Sequence, residues 1–592
     1  MSAFLSRFKI NIPTTLLAAS MFFTGACGLV SEYILCTVST YILGNSIEQF
    51  SIIIALMLFM MGIAGYLQRF MSDEKLVEKF ILVETILALL SGFAPIAIYA
   101  AFGAMDYHFK IVQYFFIMSI GFLIGFEIPL VLRINEKYSK TLSINIANIY
   151  SLDYLGCFAG ALVWTYYLLK YYPLTEISFM MAGLNFFVAV LTFGYFLSKK
   201  AVSRRMSTLM LVACTAGVLI FGFTHNRGWS SDLEQKMYDD RIVFAETTKY
   251  QRIVITYNRP LEEHRLYLNG NLQFSSSDEQ IYHEQLVHPV MQLVPGHRRV
   301  LILGGGDGLA LREVLKYKDV EHITLVDLDQ DMIRICSTDT VISRLNQNAF
   351  ADARVHAIAS KGVTPELSMQ VVPQSTKEQS QLTQTPEKTD TTWANNIKPI
   401  YMETGKVDKN KQAIVERVAY VEIFNIDADR FIGKAKKKWN VVIVDLPDPG
   451  SVELVKLYSK EFYLKIHRLL AENGMVAIQA TSPYHAKESY LCINRTLKAA
   501  RFKTLPYHDN VPSFGEWGWF LAWKDNIPES IVKNKIAGMR DFKVKTRYLT
   551  PEVFRTATVF GKGWLVSGYN DINTLMQPRL LDYYLHDDWK ID

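Results

Sequence analysis

The feature that most constrains this chain is a succession of long apolar runs confined to its first 225 residues. About 20 apolar residues in a helix cover roughly 30 Å of hydrocarbon, at about 1.5 Å of rise per residue. Seven segments of that kind are read at 14–40, 48–68, 80–103, 111–132, 146–169, 173–197 and 206–224. From about Trp229 the texture changes to strand-like and helix-like runs with ordinary charge, and no later stretch is apolar enough to span. A chain divided in this way is neither one soluble globule nor a disordered polymer. Charged residues are 20% of the 592, below the ~25% of soluble chains, and the shortfall lies in the first part.

Arg7 and Lys9 precede the first run as they would in a signal peptide. The run is too long for one, and further spans follow at once, so it is expected to stay uncleaved. In the short loops, one side carries Arg7, Lys9, Arg69, Lys75, Lys79, Arg133, Lys137, Lys140, Lys199, Lys200, Arg204 and Arg205, the other little beyond Lys110 and Lys170. That bias places the N-terminus in the cytoplasm, with a cell (inner) membrane as lipid partner.

Glu32, Glu127 and Asp153 fall inside these segments. A charge at the bilayer centre costs at least about 2.5–3.5 kcal/mol, so each acid needs a partner or a wet cavity. Such acids serve either a cation, polyamine or proton path, or a plain hydrogen bond between helices. Pro129, two residues beyond Glu127, can free backbone carbonyls nearby.

The net charge of +5 is small for this length and gives no reason to expect a nucleic-acid partner. Six cysteines stand far apart with no CxxC, which argues against a disulfide framework and against a zinc site.

In the second part, 242–256 and 265–274 alternate as short strands, with Asn269-Gly270 as a turn. A helix-like run from Asp278 to Leu293 follows, with Asp278 placed to cap it. Arg299–Leu303 reads as a strand buried on both faces, then Gly304-Gly305-Gly306-Asp307-Gly308, a helix over Leu309–Tyr317, and a strand His322–Val326 ending in Asp327 and Asp329. Strand, glycine turn, helix, strand and acid form the front of a doubly wound nucleotide-binding sheet. An acid inside the loop, Asp307, repels a pyrophosphate and suits a ligand carrying a cation. The strand Trp439–Val444 runs into Asp445-Leu446-Pro447-Asp448-Pro449, which places Asp445 beside the glycine loop at the sheet's carboxyl edge. Paired acids in such a loop are often only a solvated turn. With Asp307, Asp327, Asp427 and the 278–284 acids, they make a crevice suited to a polycation.

Tyr267-Leu-Asn-Gly-Asn-Leu-Gln273, Asp278-Glu279-Gln-Ile-Tyr282-His283-Glu284, the Gly304–Gly308 loop, Asp445-Leu-Pro-Asp448-Pro449 and Leu457–Tyr463 resemble the spermidine synthase pattern in order and spacing. The resemblance covers roughly 230–525, and with the apolar first part the chain is similar to bacterial membrane-attached members of that family. It implies a multi-pass α-helical membrane domain followed by an α/β Rossmann-like, methyltransferase-type domain with a small N-terminal β subdomain. The expected boundaries are 1–225 for the membrane domain and 226–297 for the β subdomain with its lead helix. The catalytic domain then covers 298–527, followed by a C-terminal extension, 528–592.

The resemblance also implies the chemistry: an aminopropyl group moves from decarboxylated S-adenosylmethionine, a co-substrate, to putrescine or a related polyamine, yielding spermidine and methylthioadenosine. No permanently bound cofactor and no metal are required. Asp445 would be the proton acceptor; Gln251, Gly304, Gly306, Asp327, Asp427 and Ala428 would hold the thioadenosine part; Gln273, Tyr282, His283, Asp307 and Asp448 would line the amine channel. Phe514 stands where soluble members carry a tyrosine, and Glu516 offers a further acid there. Soluble relatives suggest a homodimer or homotetramer.

Residues 357–419, rich in Gln, Thr, Ser, Lys and Glu, read as a mostly disordered insertion with a short helix near 410–418. Two other readings stay open: a membrane polyamine sensor or transporter with a non-catalytic synthase-like domain, and an S-adenosylmethionine-dependent methyltransferase. Seven spans from a cytoplasmic N-terminus put the second part outside, away from a donor made in the cytoplasm. Either one segment does not cross, the fourth and fifth being the candidates, or the donor reaches the second part through the membrane part; the cytoplasmic placement is preferred.

Overall fold

A computed structural model describes residues 12–43, 46–105, 108–139, 141–352, 354–360, 400–407 and 413–586. The chain forms two compact units, Met1–Asp239 and Asp240–Asp592.

The first unit contains α1 (Ile12–Leu43), α2 (Ser46–Leu67), α3 (Leu76–Met105), α4 (Phe109–Asn135), α5 (Leu142–Val163), α6 (Leu174–Ser198) and α7 (Arg205–Gln235). Seven helices here are long and apolar enough to cross a membrane, judged by length and composition. The α4 helix runs unbroken through Pro129, and α5 continues past Asp153 through a wide turn, Trp164–Leu168. The last helix extends eleven residues beyond the apolar run that marks it in the sequence.

Small residues bring these helices together. A Cβ at Gly156 of α5 would lie 2.0 Å from the Phe22 carbonyl of α1, and one at Gly160 would lie 2.8 Å from that of Ala26. Gly121 and Gly125 of α4 meet the α2 backbone at Met57 and Met61 in the same way. Two glycines four apart give a flat stripe on which backbones touch and gain close dispersion contact. Glu127 and Asp153 are buried and Glu32 is half-buried. Two further acids of these helices are buried, Glu84 in α3 beside Glu127 and Glu176 in α6, so the expectation of three acids in this unit is short.

The second unit opens with β1 (Arg241–Thr247), β2 (Arg252–Asn258), β3 (Glu263–Leu268) and β4 (Asn271–Ser275), an antiparallel sheet in chain order. Asn269 and Gly270 both take positive φ (50° and 83°) in the tight turn between β3 and β4. The lead helix α8 (Glu279–Leu293) follows. Asp278 stands at its N-cap without capping it. Its carboxylate instead accepts from the Ser513 backbone N–H at 2.6 Å and hydroxyl at 2.9 Å, a pair of donors that outcompetes the helix end.

Next come β5 (Arg299–Gly304), α9 (Leu309–Leu315), β6 (His322–Asp327), β7 (Val355–Ser360), β8 (Ile400–Val407), β9 (Ala413–Val418), β10 (Tyr420–Asn425), β11 (Trp439–Asp445), β12 (Leu470–Gln479), β13 (Phe502–Val511) and β14 (Gly515–Lys524). The main sheet has the order β13-β14-β12-β11-β5-β6-β10-β7. It is parallel except for β14, which runs antiparallel to both β12 and β13. That order, closed by an antiparallel hairpin, is Rossmann-like and of methyltransferase type. Val300 and Ile302 pack into the core on one face, Leu301 and Leu303 into that on the other, which is why the strand does not alternate.

The helix expected near 410–418 is a strand: β9 pairs antiparallel with β8. Half of the run Ala413-Ile-Val-Glu-Arg-Val418 is β-branched (Ile414, Val415 and Val418), a composition that favours a strand over a helix. Residues 361–399 of the insertion, expected to be disordered, lie outside the described residues, as do Arg7, Lys9 and Lys140.

Candidate active site

Register brings four strand ends together at one edge of the sheet. Gly304 of β5 pairs with Asp445 of β11, and Asp327 of β6 pairs with Asn425 of β10. The strand order reverses at β5, so the loops after β5 and β11 part and leave a crevice between them. Gly304 has φ of 87°, and a Cβ there would stand 1.8 Å from the Asp445 carbonyl oxygen. Only glycine fits.

On one side of the crevice, Asp327 accepts from the N–H groups of Gly306 at 3.0 Å and Asp329 at 2.9 Å. Burial nevertheless raises its pKa to about 7. Asp329 accepts from Thr248 Oγ1 at 2.6 Å and from Gln251 Nε2 at 3.1 Å, which ties the β1–β2 turn to this edge. Gln251 thus reaches the expected nucleoside end through Asp329. Asp427 caps the helix Ala428–Lys434 and pairs with Lys456 at 2.9 Å. Burial opposes its ionisation, but Lys456 and the cap donors hold it below the usual carboxylate range. Ala428 is buried in that helix's first turn.

On the other side, α8 brings Tyr282 and His283 to the end of β11. Tyr282 Oη donates to Asp445 Oδ1 at 2.8 Å. Burial, then the charge of Asp307, pushes Asp445 up to about 6, against the opposing pull of His283 and Tyr282. The His283 Nδ1–H donates to the Glu279 carbonyl at 2.7 Å, and Nε2 lies 4.0 Å from Asp307 Oδ2. Burial alone would lower His283, but Glu279 and Asp307 outweigh it and raise the ring to about 9, so it is an imidazolium at neutral pH. Asp307 Oδ1 accepts from the Leu309 N–H at 2.8 Å. Asp448 accepts from Gln479 Nε2 at 3.2 Å and Tyr584 Oη at 3.0 Å, and burial raises it to about 6. Tyr458 Oη donates to the carbonyls of Pro447 and Leu446 at 3.0 and 3.2 Å, which fixes the loop between the two aspartates.

Two residues face elsewhere. Gln273 donates to the carbonyls of Asn271 and Leu272 in its own strand, at 3.2 and 3.4 Å. Glu516 pairs with His508, whose ring binds it in preference to an open crevice. Phe514 stacks edge-on to Tyr282, ring centroids 6.1 Å apart.

Arg312, Arg547 and Tyr584 are among the residues of this neighbourhood not expected from the sequence. Arg312 grips both oxygens of Glu279 at 2.9 and 2.8 Å, and Arg547 joins at 2.6 Å. Burial opposes the ionisation of Glu279, but His283 and then Arg312 outweigh it and hold Glu279 at about 2. An arginine four residues past the glycine loop was a readable signal for a buried partner. Tyr584 comes from the last described helix, 136 residues beyond Asp448, and nothing in its local sequence marks it.

Together these groups offer a glycine loop with an acid at one end and two aspartates at the other. Such a crevice suits a nucleoside joined to a cationic chain, with a second cation beside it. The Spermine/spermidine synthase domain family matches residues 279–366 and 408–534. The "Polyamine aminopropyltransferase 1" of Ralstonia nicotianae is 35% identical over 550 residues, 93% of this chain and 89% of that protein. The "Polyamine aminopropyltransferase" of Leptospira interrogans is 33% identical over 575 residues, 96% and 98% of the two chains. Among solved structures, spermidine synthase from Thermotoga maritima is 22% identical with a TM-score of 0.39, covering 55% of this chain and 87% of that one. The chain belongs to the polyamine aminopropyltransferase family. Because those alignments take in nearly all of it, the helical first unit is shared with these relatives.

Proposed function

We propose that this chain transfers the aminopropyl group of decarboxylated S-adenosylmethionine to putrescine, giving spermidine and methylthioadenosine. The observation that carries the reading is Asp445 at the carboxyl end of β11, held by Tyr282 and paired in register with the glycine loop. A diamine is a dication at neutral pH, and only a neutral nitrogen attacks the carbon beside a sulfonium. Asp445 accepts the proton of that nitrogen; at about 6 it is a better matched base than an ordinary aspartate and still mostly ionised at pH 7. The N–C bond forms as the C–S bond breaks, and the sulfonium leaves as a neutral thioether.

The remaining groups align the reactants. Asp327 with the Gly306 edge takes the ribose, Asp427 and Ala428 border the base, and Gln251 supports them through Asp329. Asp307, at the junction of the two ends, faces the donor's own ammonium. His283 keeps its positive charge beside Asp307 and Asp445, and it favours the ionised form of Asp445. Asp448 holds the acceptor's other ammonium.

We assign the chain to the inner membrane, a reading supported by seven helices long and apolar enough to span, with the N-terminus cytoplasmic by the loop-charge bias. The second unit is assigned to the cytoplasmic side, where the donor is made, so one helix does not cross. A reporter fused after Asp592 and active only outside the cytoplasm would contradict this.

The test of the function is to incubate the full chain, purified in detergent, with the donor and diamines of three to five carbons and to follow products by mass spectrometry. Spermidine and methylthioadenosine in equal amounts from putrescine are expected. Methyl transfer from S-adenosylmethionine, or binding of polyamine without product, would reject the reading.

A further inference from the structure

The C-terminal segment folds back onto the loop that follows β11. Asn573, 1% exposed, acts as its clamp. Its carbonyl accepts from the Lys460 N–H at 2.9 Å, and its amide donates to the Val455 carbonyl at 2.9 Å. Leu580 and Leu581 are buried in the core that also holds Tyr458 and Leu446. These anchors fix the helix Arg579–His586. Tyr584 on that helix reaches Asp448, its hydroxyl 3.0 Å from Oδ2. Its ring lies against Gly450, where a Cβ would stand only 3.3 Å from Tyr584 Cε1.

The two donors on Asp448 differ in what they leave for a cation. The Gln479 amide presents N–H groups, which an ammonium avoids. A phenol that donates to a carboxylate keeps its lone pairs and can accept an N–H in turn. An ammonium at Asp448 therefore meets a second acceptor, supplied from the far end of the chain, and an aromatic wall behind it. We propose that Tyr584 is a specificity-determining residue for the acceptor amine: it binds the distal ammonium jointly with Asp448 and closes that end of the channel to longer amines. This rests on the aminopropyltransferase reading above.

The test compares the full chain with Tyr584→Phe and Tyr584→Ala on 1,3-diaminopropane, putrescine, cadaverine and spermidine. Tyr584→Phe should raise KM for the preferred diamine about tenfold with kcat little changed, the effect of one lost hydrogen bond to a charged group. Tyr584→Ala should raise the kcat/KM of a longer amine relative to the preferred one by about tenfold or more. Methylthioadenosine affinity should survive in both, since Tyr584 acts on Asp448, which is assigned to the amine end. If Tyr584→Ala fails to bind the nucleoside and so has misfolded, the conservative Tyr584→Phe decides. Unchanged KM and unchanged amine preference would overturn the proposal. Should the wild type bind diamine by calorimetry without turning it over, the transferase reading fails, and the Tyr584→Phe shift in Kd still decides this one. A wild type that binds no diamine overturns both.

Discussion

Tyr282 Oη donates a 2.8 Å hydrogen bond to Asp445 Oδ1, joining the lead helix of the second unit to the end of β11. Burial and the nearby Asp307 disfavour a charge on Asp445, and this bond with His283 pulls the other way. The phenol is itself held well above its ordinary pKa by burial and by Asp445, so it remains a donor.

Removing that donor with Tyr282→Phe takes stabilisation from the ionised form, so the Asp445 pKa rises further from about 6. The acid limb of kcat/KM should move to higher pH by about one unit: a loss of about tenfold (about 1.4 kcal/mol) well below pH 6, shrinking to about twofold at pH 7 and vanishing at higher pH. A pH–rate profile checks it. A limb that stays in place, or moves to lower pH, contradicts the assignment of that limb to Asp445.

At the nucleoside edge, a Cβ on Gly306 would stand 2.7 Å from both Cγ and Oδ2 of Asp327. Gly306→Ala therefore evicts the carboxylate from its bond with the Gly306 N–H. Methylthioadenosine affinity should fall at least about tenfold, with about 1–3 kcal/mol of stability lost to overpacking. Calorimetric titration measures the first and denaturant unfolding the second. Unchanged affinity would place the nucleoside elsewhere.

Glu279 is held at about 2 by His283 and Arg312 in spite of its burial. A carboxylate depressed from its usual range of about 4.5 adds stability of about 3 kcal/mol above that pH, lost as pH falls through about 2. Glu279→Gln should lower the thermal midpoint of the full chain at pH 7, and the gap from wild type should close as pH falls through that window. A gap independent of pH would show that packing, not charge, is what Glu279 contributes.

The strands around the glycine loop were legible because their sequence signals are local. Arg299–Leu303 is apolar without alternation, Gly304–Gly308 breaks it, and Asp327 and Asp445 end the next strands, so the crevice could be drawn from the chain alone. Signals failed where a distant partner decides. Asp278 looks like a cap in sequence, yet Ser513 offers two donors and takes its carboxylate. Glu516 was drawn toward the amine by its neighbours and is held by His508 across the strand turn. Glu84 stands in plain view in the third apolar run, but only packing shows it beside Glu127. Tyr584 reaches Asp448 from a helix whose docking depends on Asn573, a contact no spacing encodes.

The most direct measurement sets Asp445→Asn beside the wild type and reads the rate of methylthioadenosine release at saturating donor and putrescine. The amide keeps the shape and its contact with Tyr282 but cannot accept the amine's proton. A loss of about 10²–10⁴-fold in kcat is expected, with methylthioadenosine affinity preserved. Equal rates for the two proteins would contradict Asp445 as the proton acceptor.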